Sequence, residues 1–248
     1  MKAEVTKTRS AGAIRIGILA AGDTPSALKD AFPSFSQMTS EMFLTQLPHA
    51  MFETFDVKDD HFPIDVAAMD AWVVTGSVCS SNDELPWMLK LESFIQEAEA
   101  QRIKLIGICF GHQLIAKALG GKVAQYHGGW GVGLHEYHGF SKNNRVVEDK
   151  TALWLPAFHQ DQVVDKPENA EVILHSPFCQ NAALLYGDSA FTCQFHPEFS
   201  VEFERALLTL YQDGVIPQDV LKKAHQSLLD RQPDNATIVH LLCDFVAN

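Results

Sequence analysis

The sequence predicts an α/β protein. An open, mostly parallel sheet is flanked by helices, continued by an antiparallel extension and followed by a helical C-terminal tail. Three observations carry this. Short β-rich apolar runs alternate with amphipathic helical patterns in the first half of the chain, as parallel βαβ units require. The run 103–108 (IKLIGI) is nearly all apolar, as expected of a central strand covered on both faces. After Gly120-Gly121 several strand-like runs follow without long helices between them, which points to antiparallel or mixed pairing.

In chain order, 13–20 (AIRIGILA) reads as the first strand, ended by Gly22-Asp23. Helical spacing of Phe35, Met38, Met42, Phe43 and Leu47 predicts a helix over 34–47, with Pro48 just past its end. A loosely alternating run, 51–58, follows as the second strand, and 71–75 (AWVVT) is a buried strand broken by Gly76. Residues 87–100 are amphipathic: Met88, Leu91, Phe94, Ile95 and Ala98 share one face. Beyond the central strand the strand-like runs are 122–126, 132–138, 171–175, 182–186 and 190–195. The tail reads as two or three helices, with Gly214, Pro217 and Pro233 as breakers. A domain over 1–200 with a helical extension over 201–248 packed on it, sharing one continuous core, suits the 248-residue length.

Composition narrows the function. Nineteen Lys and Arg against 31 Asp and Glu leave a net charge of −12, and no Lys/Arg run exists. That balance disfavours nucleic acid and anionic membranes as partners, since both need clustered positive charge. The N-terminal apolar stretch is interrupted by Arg15 and followed by Asp23, so it reads as a strand rather than a signal peptide. The charge-free stretch 172–187 holds His175, Pro177, Gln180 and Asn181, and no spanning helix is expected there. Five cysteines, odd in number and without a CxxC pair, read as reduced thiols of a cytoplasmic protein.

The chemistry concentrates at Gly107-Ile108-Cys109-Phe110-Gly111-His112-Gln113. Gly-x-nucleophile-x-Gly between a buried strand and a helix describes a nucleophile elbow. A nucleophile projecting from so sharp a turn sits on a strained backbone, and glycines two before and two after remove the Cβ atoms that would collide. The N-terminus of the following helix favours a thiolate. In a shuffled chain of this composition G-x-C-x-G is expected about 0.018 times. Downstream, Phe195-His196-Pro197-Glu198 ends a strand-like run. Proline pushes His196 toward an extended backbone, where residues two apart point to one side, so Glu198 reaches the imidazole and fixes its tautomer. Thr75-Gly76-Ser77 follows a strand at the sheet's carboxyl end, and the N–H of Gly76 with that of Phe110 makes a candidate oxyanion hole.

Together these residues resemble the class I glutamine amidotransferases, a triad family with a Cys on a G-x-C-x-G-x-Q elbow and a downstream H-P-E. The likeness is greatest to free-standing members similar to the amidotransferase domain of GMP synthase. Supporting pieces are Thr75-Gly76-Ser77, Asp83-Glu84-Leu85-Pro86-Trp87, Gly128-Gly129-Trp130-Gly131-Val132-Gly133 and His159-Gln160-Asp161-Gln162-Val163, spanning roughly 14–200 in the expected order.

The resemblance implies a flavodoxin-like core and a Cys109-His196-Glu198 triad. Cys109 attacks the side-chain amide of glutamine, His196 is the base, and Glu198 orients it. The oxyanion rests on the N–H groups of Gly76 and Phe110. Ammonia leaves, and water hydrolyses the γ-glutamyl thioester to glutamate. Gln113 matches the family's glutamine-binding position, Trp130-Gly131 the wall for the amino-acid end, and Ser77, His159 and Asp161 complete the substrate set. No cofactor and no metal are implied. No G-x-x-x-x-G-K-[ST] loop occurs, and 201–248 is too short for a synthetase, so the expected partner is a separate synthetase subunit that takes the ammonia, or none. γ-Glutamyl peptidases run the same thioester chemistry with another leaving group, and the sequence does not choose between them. A different class, a non-catalytic binding or redox-sensing protein with Cys109 as an oxidisable thiol, leaves the His196/Glu198 pair without a purpose. A zinc enzyme is disfavoured: His135-Glu136-Tyr137-His138 lacks HExxH spacing, and on a strand the two histidines face opposite ways.

Overall fold

The computed structural model describes residues 13–139, 152–214 and 216–248; the sequence readings that fall on 1–12 and 140–151 lie outside them. The chain begins with β1 (Arg15–Leu19), α1 (Phe35–Leu44), β2 (Met51–Phe55), β3 (Ala71–Val74), α2 (Pro86–Ala100), β4 (Lys104–Ile108) and α3 (Phe110–Ala118). Ser34 caps α1 by accepting the N–H of Gln37, and Pro86 opens α2 at the position where a missing N–H costs nothing. There follow β5 (Lys122–Gln125), β6 (Gly131–Gly139), β7 (Leu153–His159), β8 (Asp161–Asp165), β9 (Glu171–His175), β10 (Ala183–Tyr186) and β11 (Ala190–Cys193). The tail forms α4 (Val201–Leu210), α5 (Gln218–Asp230) and α6 (Asn235–Ala247).

Among the described residues one nine-stranded sheet runs β2-β1-β3-β4-β11-β10-β9-β6-β7. The half from β2 to β11 is parallel, and every pairing from β11 onward to β7 is antiparallel. The parallel strands alternate their side chains between two buried faces. Trp72, Val74 and Leu105 join a cluster with Met88, Leu91 and Ile95 of α2 and Leu114 and Ile115 of α3. Ala71, Val73, Ile106 and Ile108 face the other way, against Met42 and Phe43 of α1 and Ile238 and Leu242 of α6. Where the sequence suggests one continuous core, the sheet divides it into two large clusters. Two smaller ones lie under the tail. Val132 and Leu134 of β6 pack on Leu208, Leu221, Ala224 and Leu228, while Phe35 and Met38 pack on Phe199, Phe203 and Leu207.

Two strands escape the periodicity reading. Pro156 stands in the middle of β7 and reads as a strand breaker, but β7 is the last strand of the sheet, where a missing N–H is tolerated. Among the described residues β8 pairs only with β5, in a separate two-stranded ribbon, so the run 122–126 does not extend the main sheet as expected.

Candidate active site

β4 ends at the centre of the sheet, and the next residue, Cys109, turns the chain into α3 with φ 52° and ψ −101°. A positive φ is rare for a residue with a side chain, and strain of this kind persists only where surrounding structure imposes it. The imposing contacts are local. The Cys109 N–H donates to the Cys193 carbonyl at 2.8 Å, and the Cys109 carbonyl accepts from Gln113 at 3.1 Å. A Cβ on Gly107 would lie 2.6 Å from the Gly111 backbone, and one on Gly111 would lie 2.2 Å from the Val74 carbonyl oxygen. Both elbow glycines are thus required by close backbone approach. Cys109 is 7% exposed. Of the other thiols, Cys179 is pushed up to about 12 by burial, and Cys193 is held well above its ordinary value for the same reason, so both stay protonated.

β11 runs parallel to β4 with Cys193 level with Ile108, so the chain leaving β11 passes directly beside the elbow. His196 is fixed there from three sides. Its N–H donates to the Pro156 carbonyl at 2.9 Å, its Nδ1 lies 2.8 Å from Glu198 Oε1, and its ring lies on Phe199 with centroids 4.0 Å apart. Glu198 reaches the ring through a turn, not an extended segment, because the Phe199 N–H closes back on the His196 carbonyl. Its side chain is only 2% exposed. Burial by itself would lower the His196 pKa. The charges on Cys109 and Glu198, with their hydrogen bonds, outweigh it and hold the imidazole well above the ordinary histidine range.

Gly76 follows β3 and stands against both groups: a Cβ there would be 3.2 Å from His196 Cε1 and 3.9 Å from Cys109 Cβ. Phe110 is the first residue of α3, so its N–H has no partner within the helix. On the polar side, Gln113 donates to the Asp161 carbonyl at 2.9 Å and to Gln194 Oε1 at 3.2 Å, and Ser80 donates to Asp161 Oδ2 at 2.5 Å. His159 lies with Nδ1 3.2 Å from the same Asp161 carbonyl; burial pushes it down to about 3, so it is neutral. Ser77 accepts from the Cys79 N–H.

Cys109, His196, Phe110, Ser77, Gln113, Trp130, His159 and Asp161 all border one cavity of about 480 Å³. Three of the sequence-selected residues do not border it. Glu198 lies behind His196, and Gly76 lies in the corner between Cys109 and His196. Gly131 backs onto Phe178 and His159, where a Cβ would come to 2.6 and 3.2 Å. Trp130 packs edge-on to Phe158 with centroids 5.9 Å apart.

Residues that sequence reasoning does not select complete the surroundings. Gln194 Nε2 lies 3.6 Å from the Cys109 sulfur, and its position two before His196 is a usable signal. The Phe158 carbonyl lies 3.9 Å from the same sulfur, on a strand that local periodicity does not reveal. Glu204 of α4 is fully buried, accepts the Gly133 N–H at 3.0 Å and is pushed up to about 8 by burial. Among the described residues no group of three or more His, Cys, Asp or Glu is placed to hold a metal ion, and no helix is long and apolar enough to cross a membrane.

Residues 28–209 match the family described as glutamine amidotransferase class-I. The chain belongs to that family. Among curated relatives of this amidotransferase chain, γ-glutamyl peptidase 2 of Arabidopsis thaliana is 28% identical over 197 residues, covering 77% of this chain and 79% of the relative. A glutamine amidotransferase-like protein of Schizosaccharomyces pombe is 32% identical over 211 residues, 83% of this chain and 85% of its own. A shorter match, 32% over 120 residues, is to a glutamine-hydrolysing GMP synthase subunit of Methanococcus aeolicus, covering 46% of this chain and 61% of that one. The fold is shared with a solved glutamine amidotransferase of Thermotoga maritima at TM-score 0.73 and 20% identity, over 95% of this chain and 99% of that one. Membership carries the coarse class, an amidotransferase-type hydrolase.

Proposed function

We propose that Cys109, His196 and Glu198 act as a triad that hydrolyses the side-chain amide of a γ-glutamyl group. The observation carrying this reading is the meeting of a strained cysteine elbow with a buried imidazole whose other nitrogen side is held by a carboxylate. His196 takes the thiol proton as the Cys109 sulfur bonds to the amide carbon, and the oxyanion formed from the opened C=O is received by the N–H groups of Gly76 and Phe110. The C–N bond breaks as the imidazolium of His196 passes its proton to the leaving nitrogen. Water then attacks the thioester, His196 takes the water's proton, and the C–S bond breaks to give glutamate and the free thiol.

Ser77, Gln113, His159 and Asp161 serve the amino-acid end, with Gly131 behind His159, and Trp130 bounds the cavity. With glutamine the leaving group is ammonia, and a separate synthetase subunit would take it up. With a γ-glutamyl peptide it is an amine, a reading supported by the Arabidopsis relative and by a cavity roomier than glutamine needs. The helical residues 201–248 belong to this proposal as an extension of a 1–200 amidotransferase-like domain, and five unpaired thiols support a cytoplasmic setting.

The test is incubation with glutamine, γ-glutamylglycine and glutathione, with glutamate release and the intact protein mass followed together. The expected result is glutamate release that disappears in Cys109→Ala, with a glutamyl adduct on Cys109 in wild type. Glutamate release by Cys109→Ala at the wild-type rate refutes the assignment.

A further inference from the structure

The two sides of the cavity differ in chemistry. Toward Gln113 and Asp161 it offers hydroxyls, amides and a carboxylate. Toward His196 it is aromatic. Phe199 lies flat on the imidazole, and it shares an apolar cluster with Leu207 against which Phe158 and Tyr211 pack. Trp130, Phe158 and Tyr211 form a continuous row with centroid separations of 5.9 and 5.6 Å, and the backbone carbonyl of its middle member, Phe158, lies 3.9 Å from the Cys109 sulfur.

The proposed triad fixes which side is which. His196 must deliver its proton to the leaving nitrogen, so whatever that nitrogen carries projects from the imidazole along the Phe199, Phe158 and Tyr211 wall. A volume of about 480 Å³ lies in the range of roughly 300–1,000 Å³ that accommodates drug-sized ligands, and glutamine, with about ten non-hydrogen atoms, leaves this wall uncovered. None of the described residues lining the cavity is a lysine or arginine, so an anionic leaving group finds no counter-charge along it.

Resting on the reading given above, we propose that this wall is a leaving-group subsite. The preferred donor is a γ-glutamyl amide whose nitrogen bears an aromatic or branched aliphatic group, in preference to glutamine or to γ-glutamyl amides of acidic or small zwitterionic amines. The wall includes Leu207 and Tyr211 at the end of α4, so the helical tail sets the donor class.

The experiment compares kcat/KM for glutamine, γ-glutamylglycine and γ-glutamylbenzylamide by glutamate release, in wild type and in the half-buried Tyr211→Ser and Tyr211→Phe variants. The leaving amines are of similar basicity, so the ratios read the wall and not intrinsic reactivity. The expected result is a benzylamide preference of about tenfold or more over γ-glutamylglycine, reduced at least about threefold in Tyr211→Ser and kept in Tyr211→Phe. Turnover of glutamine or γ-glutamylglycine without a benzylamide preference overturns the subsite while leaving the triad reading intact. A preference unchanged in a folded Tyr211→Ser also overturns it. No turnover of any of the three overturns the subsite and the triad reading together.

Discussion

The ring of Phe199 lies against the imidazole of His196, 8° from parallel, while Glu198 holds Nδ1 at 2.8 Å. Stacking sets the tilt of the ring, and the carboxylate sets its rotation and tautomer. The two contacts leave the other nitrogen edge no freedom except toward the elbow.

Replacing Glu198 by Gln keeps the shape and the stacking but removes the charge that helps hold His196 above the usual range. The expected outcome is a loss in kcat of about 10² to 10⁴ with KM changed less than about threefold. The steady-state kinetics of the variant decide it. Equal loss in both parameters, or none in kcat, removes Glu198 from the mechanism.

Cys109 offers a test of backbone strain apart from its chemistry. At φ 52° and ψ −101° a glycine is unstrained and an alanine is not. Cys109→Gly is therefore expected to be more stable than Cys109→Ala by about 1 kcal/mol, reversing the usual order of these residues. Paired urea titrations measure it. A more stable alanine variant would place the strain elsewhere.

The elbow also depends on the space that Gly111 leaves. Its added Cβ would lie 2.2 Å from a backbone oxygen in β3, and neither strand nor helix can yield without moving the site. Gly111→Ala is expected to cost about 3 kcal/mol or more, lowering the thermal midpoint by roughly 10 °C. A midpoint close to wild type counts against so tight an approach of α3 to β3.

Glu204 gives the molecule a pH signature. Burial raises its pKa from 4.5 to about 8, an effect that the Gly133 N–H and His196 oppose and Glu198 reinforces. Between these values the folded chain keeps a proton that the unfolded chain has released, so stability falls as pH rises through the window. Glu204→Gln, which still accepts the Gly133 N–H, removes this dependence. Its stability relative to wild type should rise between pH 5 and pH 8 by an amount on the order of 3 kcal/mol, read from urea midpoints at the two values. A constant difference would mean an ordinary carboxyl. His112 and His159, both pushed down to about 3 by burial, act in the opposite sense and cost stability only as pH falls below 6.5.

Much of this is written locally in the chain. The apolar runs that become β1, β3 and β4 are buried on both faces, so their composition alone marks them. The elbow is legible because a sharp turn restricts residue type at fixed offsets. β7 is hidden because Pro156 breaks the local signal, and only its place at the edge of the sheet makes proline acceptable there. Gln194 and Phe199 are only half legible: their closeness in sequence to His196 marks them as neighbours of the site, but their contacts with the sulfur and the imidazole ring depend on how β11 and the turn after it are placed.

By itself, then, the sequence determined the strands and helices other than β7 and β8, the strained turn at Cys109, and the pairing of His196 with a nearby acid, all consequences of spacing within a few residues. Tertiary structure alone decided that β11 lies parallel to β4 and so delivers His196 to the elbow. It also decided that α4 folds back to wall the cavity with Leu207 and Tyr211. The reason is physical: backbone conformation responds to neighbours along the chain, whereas strand order and the lining of a cavity arise from burying apolar surface contributed by distant segments.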